Sequence, residues 1–199
     1  HVIAGCNSAY VLTNGEEKKY KVAGYLAIDK ANDLVILKVS GLSGSKLPLG
    51  SEVEPEIGEK IYAVGNPKGF NGTFSEGIVS GIRKFQTNNV LQITAPISPG
   101  SSGGAVLNSS AYVIGIAFAS FTDGQNLNFA IPVKYLIVLK KTIGDIKELS
   151  TVLPSIKPKA QTTVSPNITD GLEVRNIKGC TDCAPNMIFF SVKNNLGTT

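Results

Sequence analysis

The 199-residue sequence has no tryptophan, one histidine and three cysteines, and only 17% of its residues are charged. Arginine occurs only at Arg83 and Arg175, and the lysines are spread along the chain. Nucleic-acid recognition favours clustered arginine and lysine, so the net charge of +4 indicates a solvated surface and no nucleic-acid partner. No apolar stretch is long enough to form a membrane-spanning helix.

The few cysteines do not define a disulfide framework. Cys6 stands alone among small and apolar residues, which predicts a small buried hydrophobe. Cys180 and Cys183 form a C-T-D-C pair, for which a local disulfide, half of a metal site and two free thiols all remain open.

Glycine is plentiful, with 21 residues, and hydrophobic residues make up 42% of the chain. Short apolar runs separated by turn residues predict an all-β domain over residues 1–149. The predicted strands are 20–22, 25–28, 34–39, 60–64, 73–82, 90–93, 105–107, 112–118 and 127–131.

The end of the chain has a different pattern. Apolar residues recur at roughly helical spacing after Pro132, which predicts one helix from Pro132 to Leu149 that closes the domain. Residues 150–170 are rich in Pro, Ser and Thr, as linkers are. Residues 171–199 contain two strand-like runs, too few for a core, and predict the start of a second, immunoglobulin-like β module.

The most specific motif is the glycine- and serine-rich segment 97–107, which contains Ser102. A serine nucleophile needs a sharply turned backbone, a base that takes its proton, and N–H donors for the oxyanion. Gly100 can adopt the dihedral angles that aim its N–H inward, and the N–H of Ser102 supplies a second donor. A glycine-rich hairpin with hydrogen-bonding serines is the alternative for this segment alone.

Two further residues complete a candidate triad. His1 is the one histidine, and the apolar and small residues that follow it are typical of a folded segment rather than of a loose end. Asp33 lies at the start of the apolar run 34–39, where a carboxylate could accept a hydrogen bond from an imidazole N–H. The order His, Asp, Ser is that of the trypsin-like arrangement, not of subtilisin or the α/β-hydrolases.

With these motifs the first 140 residues resemble the bacterial HtrA (Deg) branch of the trypsin-like serine peptidases. The similar stretches occur in the order of that family, and they are His1–Gly5, Asn32–Val39, Ile57–Gly69, Phe74–Ser80, Pro99–Asn108 and Asn128–Pro132.

The resemblance implies a fold of two six-stranded antiparallel β-barrels with the active site between them. His1 and Asp33 would lie on the first barrel and Ser102 on the second. The implied reaction is hydrolysis of peptide bonds in protein or peptide substrates through an acyl-enzyme, with His1 as base, Asp33 orienting it and the N–H groups of Gly100 and Ser102 binding the oxyanion. No metal or cofactor is required.

The same resemblance predicts a specificity pocket. Pro96, six residues before Ser102, would lie at its base and Ala117, Phe118 and Ala119 in its wall, so we expect aliphatic rather than basic side chains to bind. Ser101 stands where digestive enzymes of this fold have an aspartate that binds a newly cut N-terminus, which predicts no such zymogen switch.

The sequence also departs from the family. Family members carry strands before this histidine and a PDZ domain after the helix, and neither is recognised here, so we expect a piece of a longer protein. The usual location of the family predicts that the protein lies outside the cytoplasm (periplasm, envelope or secreted). A preceding segment could associate it with the membrane or envelope. Two rival functions remain: a catalytically silent protease fold used for binding, and a hydrolase of another class such as an esterase.

Overall fold

The computed structural model describes residues 1–13, 18–65, 73–85, 88–98, 100–120 and 127–152. Within these residues the chain forms strands, one α-helix and a short 3-10 turn. The strands are β1 (Tyr10–Leu12), β2 (Lys19–Asp29), β3 (Leu34–Val39), β4 (Lys60–Gly65), β5 (Thr73–Phe85), β6 (Asn88–Ile93), β7 (Ala105–Asn108), β8 (Val113–Ser120) and β9 (Asn128–Pro132). The helix α1 is Val133–Lys140, and the 3-10 turn is Leu149–Thr151.

Strands β4 to β9 close into an antiparallel barrel in the order β4-β5-β6-β9-β8-β7. Alternate side chains of a strand face the same side, so every second residue fills the barrel interior. The large interior side chains are those of Ile61, Val79, Leu91, Ile93, Val106 and Ile114. The predicted all-β fold and its second barrel are confirmed.

The first half of the domain is a three-stranded sheet in the order β1-β2-β3. Its buried face packs around Ile3, Val22, Tyr25, Leu37 and Leu149. The opposite side contributes Ala27, Leu34 and Ile36 to a second cluster, which also holds side chains from the outside of the barrel and from α1. The sheet and the barrel therefore meet across an apolar interface.

The predicted helix from Pro132 to Leu149 is too long. The α-helix ends at Lys140, and the Thr142 hydroxyl donates a hydrogen bond of 2.8 Å to the Leu139 carbonyl at that end. Lys147 instead pairs in antiparallel fashion with Tyr25 of β2. The backbone at Lys147, in the second half of the predicted helix, thus pairs with the first sheet. This tertiary pairing overrides the helical periodicity of the sequence.

A glycine makes this pairing possible. A Cβ atom at Gly24 would lie 2.3 Å from the Lys147 carbonyl oxygen, closer than any side chain tolerates. The sequence pattern predicts two strands, 20–22 and 25–28, on either side of Gly24. In the structure β2 is one continuous strand, and its register with β3 is irregular next to Gly24.

The predicted linker and second β module lie almost entirely outside the described residues. Of the linker, the structure describes 150–152, where Val152 is buried against the first sheet. Cys180 and Cys183 also lie outside that part, whereas Cys6 is buried as predicted. No described helix has the length and apolar character needed to cross a bilayer.

A polar cluster ties the segment before β4 to the helix. The Glu54 carboxylate accepts hydrogen bonds from Lys134 of α1 and, at 2.9 Å, from the Asn89 side chain of β6. The Tyr135 hydroxyl accepts the Asn89 backbone N–H at 3.1 Å. These bonds to the ionised form, that from Lys134 first, lower the pKa of Glu54.

We expect Glu54→Gln to lower the free energy of unfolding by about 1 kcal/mol at pH 7, because the charged hydrogen bond to Lys134 is weakened. A lowered folded pKa stabilises the fold above the unfolded pKa, and this stabilisation is lost as the pH falls through the folded value. Denaturant melts at pH 7 and at acid pH should therefore show the difference between the two proteins shrinking at low pH. An equal difference at both pH values would contradict this assignment.

Candidate active site

Asp33 lies in the tight turn between β2 and β3. The Asp29 carboxylate accepts hydrogen bonds from the backbone N–H of Asn32 at 3.1 Å and from its side-chain amide at 2.6 Å. Asp33 itself has a φ of 52°, in the left-handed region that aspartate and asparagine tolerate better than most residues. The buried strand that follows begins at Leu34, so the turn fixes the carboxylate at the end of an anchored strand.

His1 contacts this carboxylate through two of its nitrogens. Its ring atom Nδ1 contacts Asp33 Oδ2, and its backbone nitrogen contacts Oδ1. The residues after it are anchored, because Ile3 is 2% exposed and the Gly5 N–H donates to the Val152 carbonyl at 3.1 Å. The imidazole is therefore held by a folded segment, and its Nδ1 edge is occupied by the carboxylate.

Ser102 lies in a turn that precedes β7 and is closed by local hydrogen bonds. The Ser101 N–H donates to the Ser98 carbonyl at 2.9 Å, and the Ser98 N–H donates to Ser101 Oγ at 3.3 Å. Gly100 has a φ of 100° and Gly103 a φ of 87°, which only glycine adopts readily. Ser101 is 5% exposed and packs inward, whereas Ser102 is half-buried.

Two backbone N–H groups of this turn have no hydrogen-bond acceptor in the part of the chain that the structure describes. Within the described residues, neither the Gly100 nor the Ser102 N–H donates a hydrogen bond, whereas those of Ser101, Gly103 and Gly104 all do. The donors that are engaged fix the turn: the Gly103 N–H donates to the Ala117 carbonyl at 2.8 Å. The turn therefore leaves two N–H groups, on either side of Ser101, available to an outside acceptor.

The hydroxyl of Ser102 donates to the Phe118 carbonyl at 3.4 Å. Of the hydrogen bonds among described residues, none joins Ser102 to His1. The structure thus brings His1 and Asp33 together and leaves the serine hydroxyl turned to β8. Catalytic hydrogen bonds are often long or poorly aligned without substrate, and this geometry is compatible with the serine as nucleophile.

The predicted pocket residues fall into two groups. Pro96 is exposed, and its carbonyl accepts a 2.7 Å hydrogen bond from Ser75. On β8, Ala117 faces the barrel interior, whereas Phe118 packs against Phe85 with ring centroids 6.0 Å apart, in the interface where Ala119 is also partly buried. The Phe118 ring therefore packs in the core, whereas the backbone carbonyl of Phe118 accepts the hydrogen bond from Ser102.

Sequence reasoning missed Ser75 and Asn128, which both bond to the segment before the turn. Asn128 is 7% exposed, and its amide donates to the Ala95 carbonyl at 2.9 Å. A polar residue at the start of the otherwise apolar strand 128–132 was the available signal. Ser75 carried no such signal, because it is one of several alternating polar residues in β5. No group of His, Cys, Asp and Glu suited to a metal ion occurs among the described residues.

Comparison with known proteins gives a consistent result. The family model described as a trypsin-like peptidase domain matches residues 1–116. The chain is 39% identical over 147 residues to the "Serine protease Do-like HtrB" of Bacillus subtilis (strain 168), covering 66% of this chain and 31% of that protein. It is 31% identical over 193 residues to the "Serine protease HtrA-like" of Staphylococcus aureus (strain NCTC 8325 / PS 47), covering 81% of this chain and 25% of that one.

Among solved structures, the "HtrA-type protease AlgW with decapeptide" is 32% identical, with a TM-score of 0.62, and the match covers 71% of this chain and 46% of that one. The chain thus spans about a quarter to a third of the curated relatives (25% and 31%).

Proposed function

Because the chain belongs to the trypsin-like peptidase family, in the branch of the HtrA serine proteases, we propose that it is a serine endopeptidase that cleaves proteins or peptides through an acyl-enzyme. The observation that carries this proposal is the contact between the imidazole of His1 and the carboxylate of Asp33, which lie 32 residues apart. A carboxylate at Nδ1 fixes the tautomer in which Nε2 is free to accept a proton.

In the proposed reaction Ser102 Oγ attacks the carbonyl carbon of the peptide bond, and its proton passes to His1 Nε2. The C–N bond then breaks, and His1 returns the proton to the leaving amine. Water repeats the sequence on the acyl-enzyme and releases the acid. The Asp33 carboxylate stabilises the imidazolium in both halves of the cycle.

The serine must first turn from Phe118 towards His1. Its contact with the Phe118 carbonyl, at 3.4 Å, is at the long end of O–H···O hydrogen bonds and is correspondingly weak. Rotation about one side-chain torsion between staggered positions is enough to redirect a serine hydroxyl. We expect a bound substrate, which fills the space beside β8, to favour that rotation.

The oxyanion would be held by the N–H groups of Gly100 and Ser102. Their lack of partners among the described residues supports this role, because an internal acceptor would have to be displaced before a substrate oxygen could bind. The turn is closed by Ser101 through its own hydroxyl and N–H, which supports a site that needs no newly cut N-terminus to form.

The proposed specificity follows from the residue at the pocket base. Pro96 has no charge, so a basic substrate side chain would lose its hydration there without gaining a counter-charge. We expect a peptide library to give cleavage after small or medium aliphatic residues, with kcat/KM at least about tenfold above that for lysine or arginine. A cleavage profile led by basic residues would contradict this assignment.

The remaining parts of the proposal concern partners and location. Peptides and proteins are the proposed substrates, in keeping with the peptide-bound HtrA-type relative. We place the protein outside the cytoplasm, as is usual for HtrA proteases, and cell fractionation with an antibody would test that placement.

A fluorophosphonate probe tests the proposed function directly. It reacts with an activated serine, and peptide mapping by mass spectrometry identifies the labelled residue. We expect labelling at Ser102 together with peptide cleavage. A protein used only for binding would not be labelled, and one that hydrolyses esters but no peptides in parallel assays would belong to another hydrolase class.

A further inference from the structure

Small residues contribute to the packing inside the barrel. Ala63, Ala95, Ala117 and Ala130 are buried there together with larger Ile, Leu and Val side chains. A Cβ atom at Gly77 would lie 2.2 Å from the Ala95 backbone nitrogen, and one at Gly65 would lie 3.1 Å from Ser101. Segment 94–98 and Ser101 therefore pack directly against the strands of the barrel.

Two side chains hold this segment from different strands. Asn128 of β9 donates to the Ala95 carbonyl at 2.9 Å, and Ser75 of β5 donates to the next carbonyl, that of Pro96, at 2.7 Å. Asn128 and Ser101 are the buried polar side chains of the described chain, and both bond to this one segment. A buried polar group is retained at a cost unless it is well paired, so its location indicates a specific role.

The bonded carbonyls lie close to the proposed oxyanion donors. Between Pro96 and Gly100 there are three residues, so a shift of the Ala95–Pro96 peptide is passed on to the Gly100 N–H over a short stretch of chain. Misplacement of a catalytic group by about 1 Å can reduce a rate about 100-fold. The Thr94 N–H anchors the start of the segment by donating to the Ile78 carbonyl at 3.0 Å. Asn128 and Ser75 hold the next two carbonyls along the chain towards the turn.

We propose that Asn128 and Ser75 are positioning residues for catalysis, which clamp two successive carbonyls and so hold the Gly100 and Ser102 N–H groups where the oxyanion forms. This inference rests on the proposed peptidase function. It goes beyond that function because the two side chains bond to the carbonyls of Ala95 and Pro96, and so act through the backbone of segment 94–98 and not on the serine, the histidine or the aspartate.

The test uses Asn128→Asp in the protein that carries this sequence. Ionised aspartate has nearly the same shape but cannot donate to the Ala95 carbonyl. The matched control is Asn89→Asp, which removes a side-chain amide donor that bonds to Glu54 and not to the segment before the turn. Ser75→Ala removes the other clamp without introducing a charge, and it serves if Asn128→Asp does not fold.

We expect Asn128→Asp to lower kcat by about 10- to 100-fold with KM changed less than about threefold, and Ser75→Ala to lower kcat by about tenfold. Asn89→Asp should lower the Tm but leave kcat unchanged. If Asn128 and Ser75 had a purely structural role, both Asn128→Asp and Ser75→Ala would lower the Tm and retain kcat. This result would overturn the proposal.

Hydrogen exchange separates this inference from the proposed function. The Ser101 amide, protected by the Ser98 carbonyl, should exchange about tenfold faster in either clamp variant than in the unmodified protein, whether or not the protein cleaves peptides. If the unmodified protein neither cleaves peptides nor reacts with a fluorophosphonate, the proposed function is wrong. If the Ser101 amide exchanges at the same rate in Asn128→Asp and Ser75→Ala as in the unmodified protein, the positioning role of these two residues is wrong.

Discussion

Replacing Ser102 with alanine is expected to lower kcat for peptide hydrolysis by roughly 10⁵- to 10⁶-fold and to abolish fluorophosphonate labelling. The change removes the only atom that forms the acyl-enzyme, so what remains is the acceleration due to binding and to the oxyanion donors, about 10³- to 10⁴-fold over water. Among the residues that the structure describes, the hydroxyl makes one weak hydrogen bond, to the Phe118 carbonyl, so we expect the Tm to change little. Steady-state kinetics and thermal melts of the same preparations measure both quantities.

The matched control is Ser110→Ala. Ser110 lies in the exposed turn between β7 and β8, and its N–H, rather than its hydroxyl, bonds to Asn108. This variant should retain full kcat and full labelling. Peptide cleavage by Ser102→Ala at more than about a hundredth of the normal rate would show that another group is the nucleophile, and a labelled residue other than Ser102 would identify it.

Asp33→Asn is expected to lower kcat by about 10⁴-fold with an almost unchanged fold. The amide keeps the size of the carboxylate but can present an N–H to Nδ1, which then favours the tautomer with the proton on Nε2. In that tautomer the imidazole cannot accept the serine proton. The lost charge also no longer stabilises the imidazolium that forms during attack.

The backbone of Asp33 makes asparagine the right substitution. With a φ of 52°, this position suits asparagine, whereas alanine would add strain to the loss of the carboxylate. We therefore expect Asp33→Ala to lose activity and Tm together, and Asp33→Asn to lose mainly activity. Asp145→Asn, at an exposed position, is the control for a change of charge alone.

A pH profile distinguishes this role from a structural one. In the unmodified protein kcat/KM should be highest where the His1 ring is neutral, since only the neutral ring acts as a base. In Asp33→Asn, kcat/KM should depend less steeply on pH near neutrality. It should rise again in alkaline solution, where hydroxide acts as the base in place of His1. A profile of unchanged shape with a proportionally lower rate would instead indicate that Asp33 only supports the fold.

Much of the fold was predictable because strand formation leaves a local signal. The run 34–39 is β3 with the same bounds, and the barrel strands were predicted to within a few residues at their ends. β1 was missed, since three residues flanked by polar chain do not make a period-two pattern. The helix was overextended because the same apolar spacing in its second half serves the edge of the first sheet.

The candidate site was predictable only in its parts. The glycines around Ser102 and the aspartate before an apolar strand are local patterns with chemical meaning, and the single histidine left no other choice of base. The sequence did not show that Ser75 and Asn128 bond to segment 94–98 or that the Phe118 ring packs in the core. Each of these contacts depends on which strands become neighbours.

By itself, therefore, the amino-acid sequence determined the strand-rich character of the chain, the turn that presents Ser102 and the residue types available for proton transfer. Only the tertiary structure decided that His1 contacts Asp33, that the Ser102 hydroxyl bonds to the Phe118 carbonyl and that segment 94–98 is held from two strands. The physical reason is range: periodicity and turn preferences act over a few residues. The partners of a buried donor or carbonyl, in contrast, are fixed by which distant strands close the barrel and by the need to satisfy every polar group inside it.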